Sequence, residues 1–462
     1  MDRISFGTAG WRATLDVFTD ERVRIVAQAV ATYLGGTDRP VAVGYDARET
    51  SAGFADSAAS VLAANGLDVL LAERDCPTPA ISHAIVEREL AGAIVITASH
   101  NPPEYNGVKF IPDSGAPAMP EITEAIEANL ARPESLPADE HGWIERFDPV
   151  AAHTAHVRRL TADYFEPDLS GMTVVYDAIH GSGRGVTDAL LEAAGAEVVR
   201  RRCELDPTFG GTAPEPSAEN LGGLEAAVAE HDADLGVAND GDADRIAVCT
   251  PERGYLNENL LFAALYEALL TDGGASGSAV RTVSTTFLID RIADAHGELV
   301  HEVPVGFKWV ADAMERHDAL IGGEESGGFT VRGNVRQKDG VLLALLSAAM
   351  CAAEPIDDRL DRIVDRHGRI YAGKTSVDCP TDWKAEAISA LEGEIPDSVA
   401  GVAVDRIVTL DGFKLLLEDG SWLLIRPSGT EPKLRVNAES SDPERLEAVL
   451  DAGRGLVEAA LE

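Results

Sequence analysis

Apolar residues in the first third of the chain fall into short unbroken runs separated by stretches of helical spacing. Val41-Ala42-Val43-Gly44-Tyr45 and Ala93-Ile94-Val95-Ile96 read as strands. Between them, residues 52–64 carry apolar positions at helical spacing and stop at Asn65-Gly66, a helix C-cap signal. The run at 93–96 leads into Thr97-Ala98-Ser99-His100-Asn101-Pro102-Pro103, which continues neither a strand nor a helix. Ser99 is therefore expected on a tight, exposed loop at the carboxyl end of a strand, the usual place for a ligand site in an α/β sheet. Residues 131–150 are Pro-rich and aperiodic and suggest a first boundary.

The alternation then resumes. A strand at 173–176, the loop Gly181-Ser182-Gly183 and a helix to about residue 194 are followed by a strand at 235–238, the loop 239–245 and a strand at 246–248. A helix over 256–270 opens a third unit, which runs through 280–284, 303–309 and 321–329 to a helix over 340–353. From about Tyr371 the pattern becomes strand–turn–strand, with turns at Asp411-Gly412 and Asp419-Gly420 and a closing helix from Asp442. Strands at 41–45, 173–176 and 280–284 each lead through a Gly- or Ser-containing loop to a helix, which points to a threefold repeat of one α/β unit. The expected domains are 1–145, 146–252, 253–368 and 369–462, and 462 residues are too many for one core.

Charge adds a constraint. There are 78 Asp and Glu against 39 Lys and Arg, a formal net charge of −39. Such a field repels nucleic acid and anionic lipid, and an anionic ligand needs basic groups gathered where it binds. Only seven lysines occur, and Lys109, Lys308, Lys338 and Lys433 lie in or beside the motifs described next. Few lysines among many acids suit a high-salt cytoplasm, where the Debye length shrinks to about 3 Å near 1 M salt. The absence of a leader-like segment and of a long apolar stretch leads to the expectation of a soluble cytoplasmic protein, monomer or homodimer. Five scattered cysteines without C-x-x-C spacing suggest inert thiols, with no disulfide framework or zinc site.

Asp240-Gly241-Asp242-Ala243-Asp244-Arg245 sets three carboxylates at alternate positions about a turn, a spacing that lets them converge on one hard cation. The sixth and twelfth positions hold Arg245 and Pro251, against an EF-hand; Mg²⁺ combined with a phosphate oxygen fits better, and a solvated acidic turn is the bland alternative. Ser99-His100, with Lys109 ten residues on, offers a hydroxyl that a base or metal could activate. Gly322 to Gly328 places Glu324, Glu325 and Ser326 among glycines, suited to hydrogen-bonding vicinal hydroxyls, and Val305-Gly306-Phe307-Lys308-Trp309 adds an ammonium and aromatic faces. Arg426-Pro427-Ser428-Gly429-Thr430-Glu431-Pro432-Lys433-Leu434-Arg435 gathers guanidinium, hydroxyl and backbone donors in a phosphate cradle.

Together with Gly7-Thr8-Ala9-Gly10-Trp11-Arg12, these motifs stand in the order found in the α-D-phosphohexomutases, which the chain resembles over its whole length. The resemblance implies three related mixed α/β domains and a smaller α+β C-terminal domain around a central cleft. It implies that Ser99 carries the phosphoryl group and that Asp240, Asp242 and Asp244, with the phosphoserine, hold Mg²⁺. Arg245 would lie beside them, and Glu324 and Ser326 would read sugar hydroxyls with Gly306 and Lys308 nearby. Arg426, Ser428, Gly429, Thr430 and Arg435 would grip the phosphate that is not transferred. Arg12, His100 and Lys109 would surround the reacting oxygen, with Lys109 favoured as general base. The implied reaction interconverts hexose 1-phosphate and hexose 6-phosphate through a 1,6-bisphosphate, with glucose or mannose as the sugar. Phosphoglucosamine mutase is the alternative within the class, and a non-catalytic sugar-phosphate binder is the alternative outside it. An aspartyl phosphatase is disfavoured, because it leaves Ser99 without a role. One departure stands out: Gly328 occupies a position where many relatives have His.

Overall fold

The computed structural model describes residues 4–7, 10–429 and 432–461 and contains four sheets. The first has six strands in the spatial order Trp11–Thr14, Tyr105–Pro112, Gly92–Ile96, Val41–Tyr45, Val69–Ala72, Ile144–Phe147. The second runs Gly254–Leu256, Ile246–Thr250, Leu235–Asn239, Thr173–Asp177, Glu197–Arg201. The third runs Val300–Val303, Ala279–Thr282, Ile321–Gly323, Phe329–Val331.

One pattern recurs in all three. A central strand (41–45, 173–177, 279–282) lies between two parallel neighbours, and the third strand of each set turns back into an antiparallel partner. The threefold repeat expected from the sequence is thus present in the topology. The Val41–Tyr45 strand is buried at every position, as a parallel strand covered on both faces must be. The reversals at the third strand are the segments 97–104, 240–245 and 324–328. The Ser99, Asp240 and Glu324 motifs are therefore the same loop in three copies of one unit.

The fourth sheet differs in kind. Its six strands are antiparallel, and Tyr371–Asp378 alternates between exposed and half-buried positions, the signature of a sheet with one wet face. The helix Pro443–Ala460 is capped by the Asp442 side chain, which accepts from Arg445 N at 2.8 Å, and covers the other face. The first and fourth domains have their own cores, whereas the second and third share one through the apolar helix Gly340–Ala353.

Two local expectations change, and one strand is present that the pattern does not predict. Residues 131–150 are not all linker: Ile144–Phe147 straddles the 145/146 boundary and pairs with Val69–Ala72, which attaches it to the first sheet. The strand Tyr105–Pro112 is masked in the sequence by Asn106, Gly107 and Lys109, polar or small residues whose burial serves the site. The third-unit helix begins at Glu258, behind an Asn257 cap and a short strand that ends at Leu256. Among the described residues no single helix is long and apolar enough to cross a membrane.

The first three domains meet at a histidine cluster. His83, on the helix Thr78–Glu87, lies with its ring centroid 4.8 Å from that of His156 and 5.9 Å from that of His153, both on the helix Val150–Ala162. His153 Nε2 is 2.8 Å from Asp339 Oδ2, and Asp339 Oδ1 accepts from Leu342 N to cap the helix Gly340–Ala353. Burial, then His153 and His156, push His83 down to about 4. A base depressed in the fold keeps its full contribution to stability above the unfolded value near 6.5 and loses it as pH falls toward 4. The stability difference between wild type and His83→Gln should therefore be constant above about pH 6.5 and shift in favour of the variant between there and pH 4. Urea denaturation across that range checks this; a pH-independent difference would reject it.

Candidate active site

The segment 97–104 must reverse the chain, and Ser99 does so with φ +52°, a left-handed conformation that costs a non-glycine residue energy unless its surroundings enforce it. Arg48 enforces it. Its Nη1 donates to Pro102 O and Tyr105 O at 2.7 and 2.9 Å, and its Nη2 donates to Ser99 O and Asn101 O at 2.8 and 2.6 Å. Asp46 orients the guanidinium from Nε at 3.0 Å and accepts from Ser51 Oγ and Thr97 Oγ1. Thr97 Oγ1 in turn accepts from Ser99 N at 2.8 Å. The expected exposure holds for only part of this loop: Glu104 is exposed and residues 100–103 are half-buried, but Ser99 is fully buried. The reason lies outside the local sequence, since the 240–245 loop of the second domain covers it.

Ser99 Oγ donates to Asp240 Oδ2 at 2.8 Å. A Cβ on Gly241 would stand 2.6 Å from Ser99 O, so glycine is what lets the two loops touch. The helix Thr78–Glu87 adds a second tie across the domains: Thr78 N donates to Asp242 O at 2.9 Å and Thr78 Oγ1 to Asp242 Oδ2 at 2.6 Å. From the third domain, Gly340 N donates to Ala243 O, and a Cβ on Gly340 would lie 2.3 Å from Arg245 O.

Asp240, Asp242 and Asp244 are all buried, and each offers an oxygen within 4.8 Å of the others. Burial, then Asp242 and Asp244, push Asp240 up to about 8. Burial would raise Asp242 too, but Lys109 prevails and holds it well below the usual range. Lys109 Nζ lies 2.7 Å from Asp242 Oδ2 and 3.2 Å from Asp244 Oδ2, and Lys338 Nζ lies 3.0 Å from Asp244 Oδ1. Asp242 Oδ1 is buried without a hydrogen-bond partner among the described residues. An orphaned carboxylate oxygen inside a converging acidic triplet is a fit for a hard divalent cation.

Cations ring this cluster. Arg12 Nη1 donates to Asn101 Oδ1 at 2.9 Å, and Arg245 N donates to Asp240 Oδ1 at 3.1 Å. His100 Nδ1 lies 3.3 Å from Ser99 Oγ; Arg245, then burial, then Arg12 and Lys338 hold its pKa well below the ordinary value, so the ring is neutral at pH 7. Burial would strip the charge from Lys109, but Asp242 and Asp244 outweigh it and keep the ammonium protonated. The stem of Lys338 fills the space beside Gly328, where a Cβ would stand 2.3 Å from Lys338 Cδ. The missing side chain at 328 and the inward course of Lys338 are thus one arrangement.

Ser99, His100, Lys109, Arg12, the three aspartates and Arg245 form one continuous group. Glu324 is buried at its margin, its pKa raised by burial, and its Oε1 accepts from Gly306 N at 3.0 Å. Ser326 and Lys308 are half-buried near that loop, with Lys308 Nζ 5.8 Å from the centroid of the Trp309 ring. The 426–435 loop belongs to the fourth domain: Arg426 pairs in register with Arg435, Ser428 is buried, and Gly429 is exposed. Thr430 lies outside the described residues. Arg48, Asp46 and Thr78 carry no sequence signal, because the contacts that tie each to the site join residues more than 50 positions apart. Lys338 has one, its rarity as a lysine.

A buried serine against a carboxylate triplet, ringed by cations, has the charges and the hydroxyl that handling a phosphoryl group requires. Comparison with known proteins gives the lineage. The chain matches the phosphoglucomutase/phosphomannomutase family in four successive parts, alpha/beta/alpha domain I at residues 3–136, domain II at 152–254, domain III at 257–367 and the C-terminal domain at 378–454. It is 33% identical over 461 residues to a probable phosphoglucosamine mutase of Methanopyrus kandleri, covering 99% of this chain and 98% of that one. It is 32% identical over 452 residues to a phosphopentomutase of Thermococcus kodakarensis, covering 96% of each. The crystal structure of a putative phosphomannomutase from Thermus thermophilus superposes with TM-score 0.84 at 30% identity, covering 99% of both chains. The chain belongs to the α-D-phosphohexomutase family and is an intramolecular phosphotransferase.

Arg48 supplies a stringent test of how the serine loop is held. Arg48→Met leaves Asp46 without its cation and takes one donor from each of four carbonyls, and breaking a buried pair costs about 3–5 kcal/mol. Urea denaturation should show a loss of that order; a loss below about 1 kcal/mol would mean that the loop is held by something else.

Proposed function

We propose that the protein interconverts hexose 1-phosphate and hexose 6-phosphate, with glucose or mannose as the sugar, through a phosphoryl group carried on Ser99. The observation that carries this reading is the buried approach of Ser99 Oγ to Asp240, with Lys109 on the neighbouring carboxylates. A hydroxyl so placed is shielded from bulk water, which protects a phosphoserine from idle hydrolysis.

In the proposed cycle the P–Oγ bond of phosphoserine 99 breaks as a new P–O bond forms to the free hydroxyl of the bound sugar phosphate. That hydroxyl gives its proton to a base, and the product is the 1,6-bisphosphate. The bisphosphate turns in the cleft and returns its other phosphate to Ser99 by the same step reversed. Asp240, Asp242, Asp244 and the Ser99 oxygen would hold Mg²⁺, which when bound neutralises charge on the phosphoryl oxygens. Arg12, Lys338 and Arg245 add fixed positive charge, while Glu324, Ser326, Gly306 and Lys308 orient the sugar. Arg426, Ser428, Gly429, Thr430 and Arg435 hold the phosphate at rest.

Lys109 is the proposed base, yet Asp242 and Asp244 hold its proton. It accepts a proton only when those carboxylates are committed elsewhere, so burial is left to lower its pKa. The M. kandleri relative supports phosphoglucosamine mutase as the second reading. The net charge of −39 supports an enzyme that works in high salt.

A coupled assay in high salt, with Mg²⁺ and catalytic 1,6-bisphosphate, tests the proposal on glucose 1-phosphate, mannose 1-phosphate and glucosamine 1-phosphate. Ser99→Ala should lose at least ~1,000-fold in turnover on every sugar the wild type accepts, and chelation should abolish activity until Mg²⁺ is restored. Wild-type-like turnover by Ser99→Ala would sink the mechanism. Preference for glucosamine 1-phosphate would favour the second reading.

A further inference from the structure

We propose that Asp411 is a positioning residue that holds the sugar loop of the third domain in register with the phosphate loop of the fourth. This rests on the mutase reading above and adds a residue that the sequence marks only as part of a turn.

The geometry converges on one oxygen. Asp411 Oδ2 accepts from Val305 N at 3.1 Å and lies 4.0 Å from Arg426 Nη1. Val305 precedes Gly306, whose φ of +123° turns the chain into the helix Phe307–His317 and whose N–H reaches Glu324. Two bonds therefore lead from Asp411 to the carboxylate expected to read sugar hydroxyls. On the other side, Gly412 has φ +80°, and a Cβ there would stand 2.2 Å from Ile425 O and 2.8 Å from Arg426 Cβ. The turn that bears Asp411 is thus pressed on the backbone of the phosphate-gripping arginine, and its place relative to Arg426 is set by main chain. Arg426 is buried, and its Nε has no hydrogen-bond partner among the described residues.

The junction does not need Asp411 as glue. Lys414 Nζ bonds Glu302 and sits 4.4 and 4.5 Å from the ring centroids of Phe287 and Trp422. Glu439 Oε1 accepts from Phe287 N at 3.0 Å. These contacts already join the third and fourth domains. At 4.0 Å the carboxylate is too far to satisfy Arg426 but close enough to compete with an arriving phosphate. Asp411 therefore lowers the grip on a bare phosphate while fixing the sugar loop, which favours a ligand that carries both parts.

The test uses the full-length enzyme and two variants. Asp411→Ala should raise KM for glucose 1-phosphate about tenfold with kcat within about threefold, while inorganic phosphate inhibits more strongly than in the wild type. Asp411→Asn keeps an oxygen for Val305 N–H but no charge, so its KM should stay within about threefold of wild type while phosphate inhibition strengthens as in the alanine variant. A merely structural role would lower the melting temperature without this split. The inference is overturned if KM and the phosphate inhibition constant rise together, if kcat alone falls, or if neither variant differs from wild type. A wild-type enzyme that turns over no sugar phosphate would sink the mutase reading and this inference with it; an active wild type with an unchanged Asp411→Ala sinks this inference alone.

Discussion

The contact between Ser99 and Asp240 across two domains is the constraint on which the rest of the site depends. Three buried carboxylates in one loop cost far more than a fold of this size could absorb unless cations meet them. Lys109 comes from the first domain and Lys338 from the third, so the cations that meet them are supplied by other domains. Pulling the domains apart would strand charge on both sides. The electrostatics that suit the site to phosphoryl groups therefore also hold its parts together.

The repeat explains why the motifs face one another. In each of the first three domains the chain reverses after the third strand, and in each the reversal carries polar chemistry: a hydroxyl at Ser99, carboxylates at Asp240 to Asp244, a buried carboxylate at Glu324. Copies of one unit that present the same loop toward a common space can divide the work of a single site. The helix Gly340–Ala353 reinforces the arrangement, packing its N-terminal glycine on the aspartate loop and its apolar body in the core shared by the second and third domains. The fourth domain stands outside the repeat and adds the basic loop at 426–435.

Much of this is legible in the sequence because it is local. Val41–Tyr45 is a strand buried on both faces and looks like one, and Asp240 to Asp244 converge because alternate residues of a tight loop do so. The illegible parts are those whose cause is distant. Ser99 looks exposed in the sequence, since nothing near it in the chain reveals that Gly241 lets another domain's backbone cover it. Arg48 looks like any surface arginine, although it bonds four carbonyls between Ser99 and Tyr105. Tyr105–Pro112 is obscured because a strand that delivers Lys109 to buried carboxylates must break its own apolar pattern.

Transfer of label from radiolabelled glucose 1,6-bisphosphate to the protein addresses the phosphoryl carrier directly. The account predicts one labelled peptide, with the label on Ser99, discharged by unlabelled glucose 6-phosphate at a rate no slower than turnover. Label on an aspartate of the 240–245 loop, or label on Ser99 that the sugar phosphate cannot discharge, would contradict it.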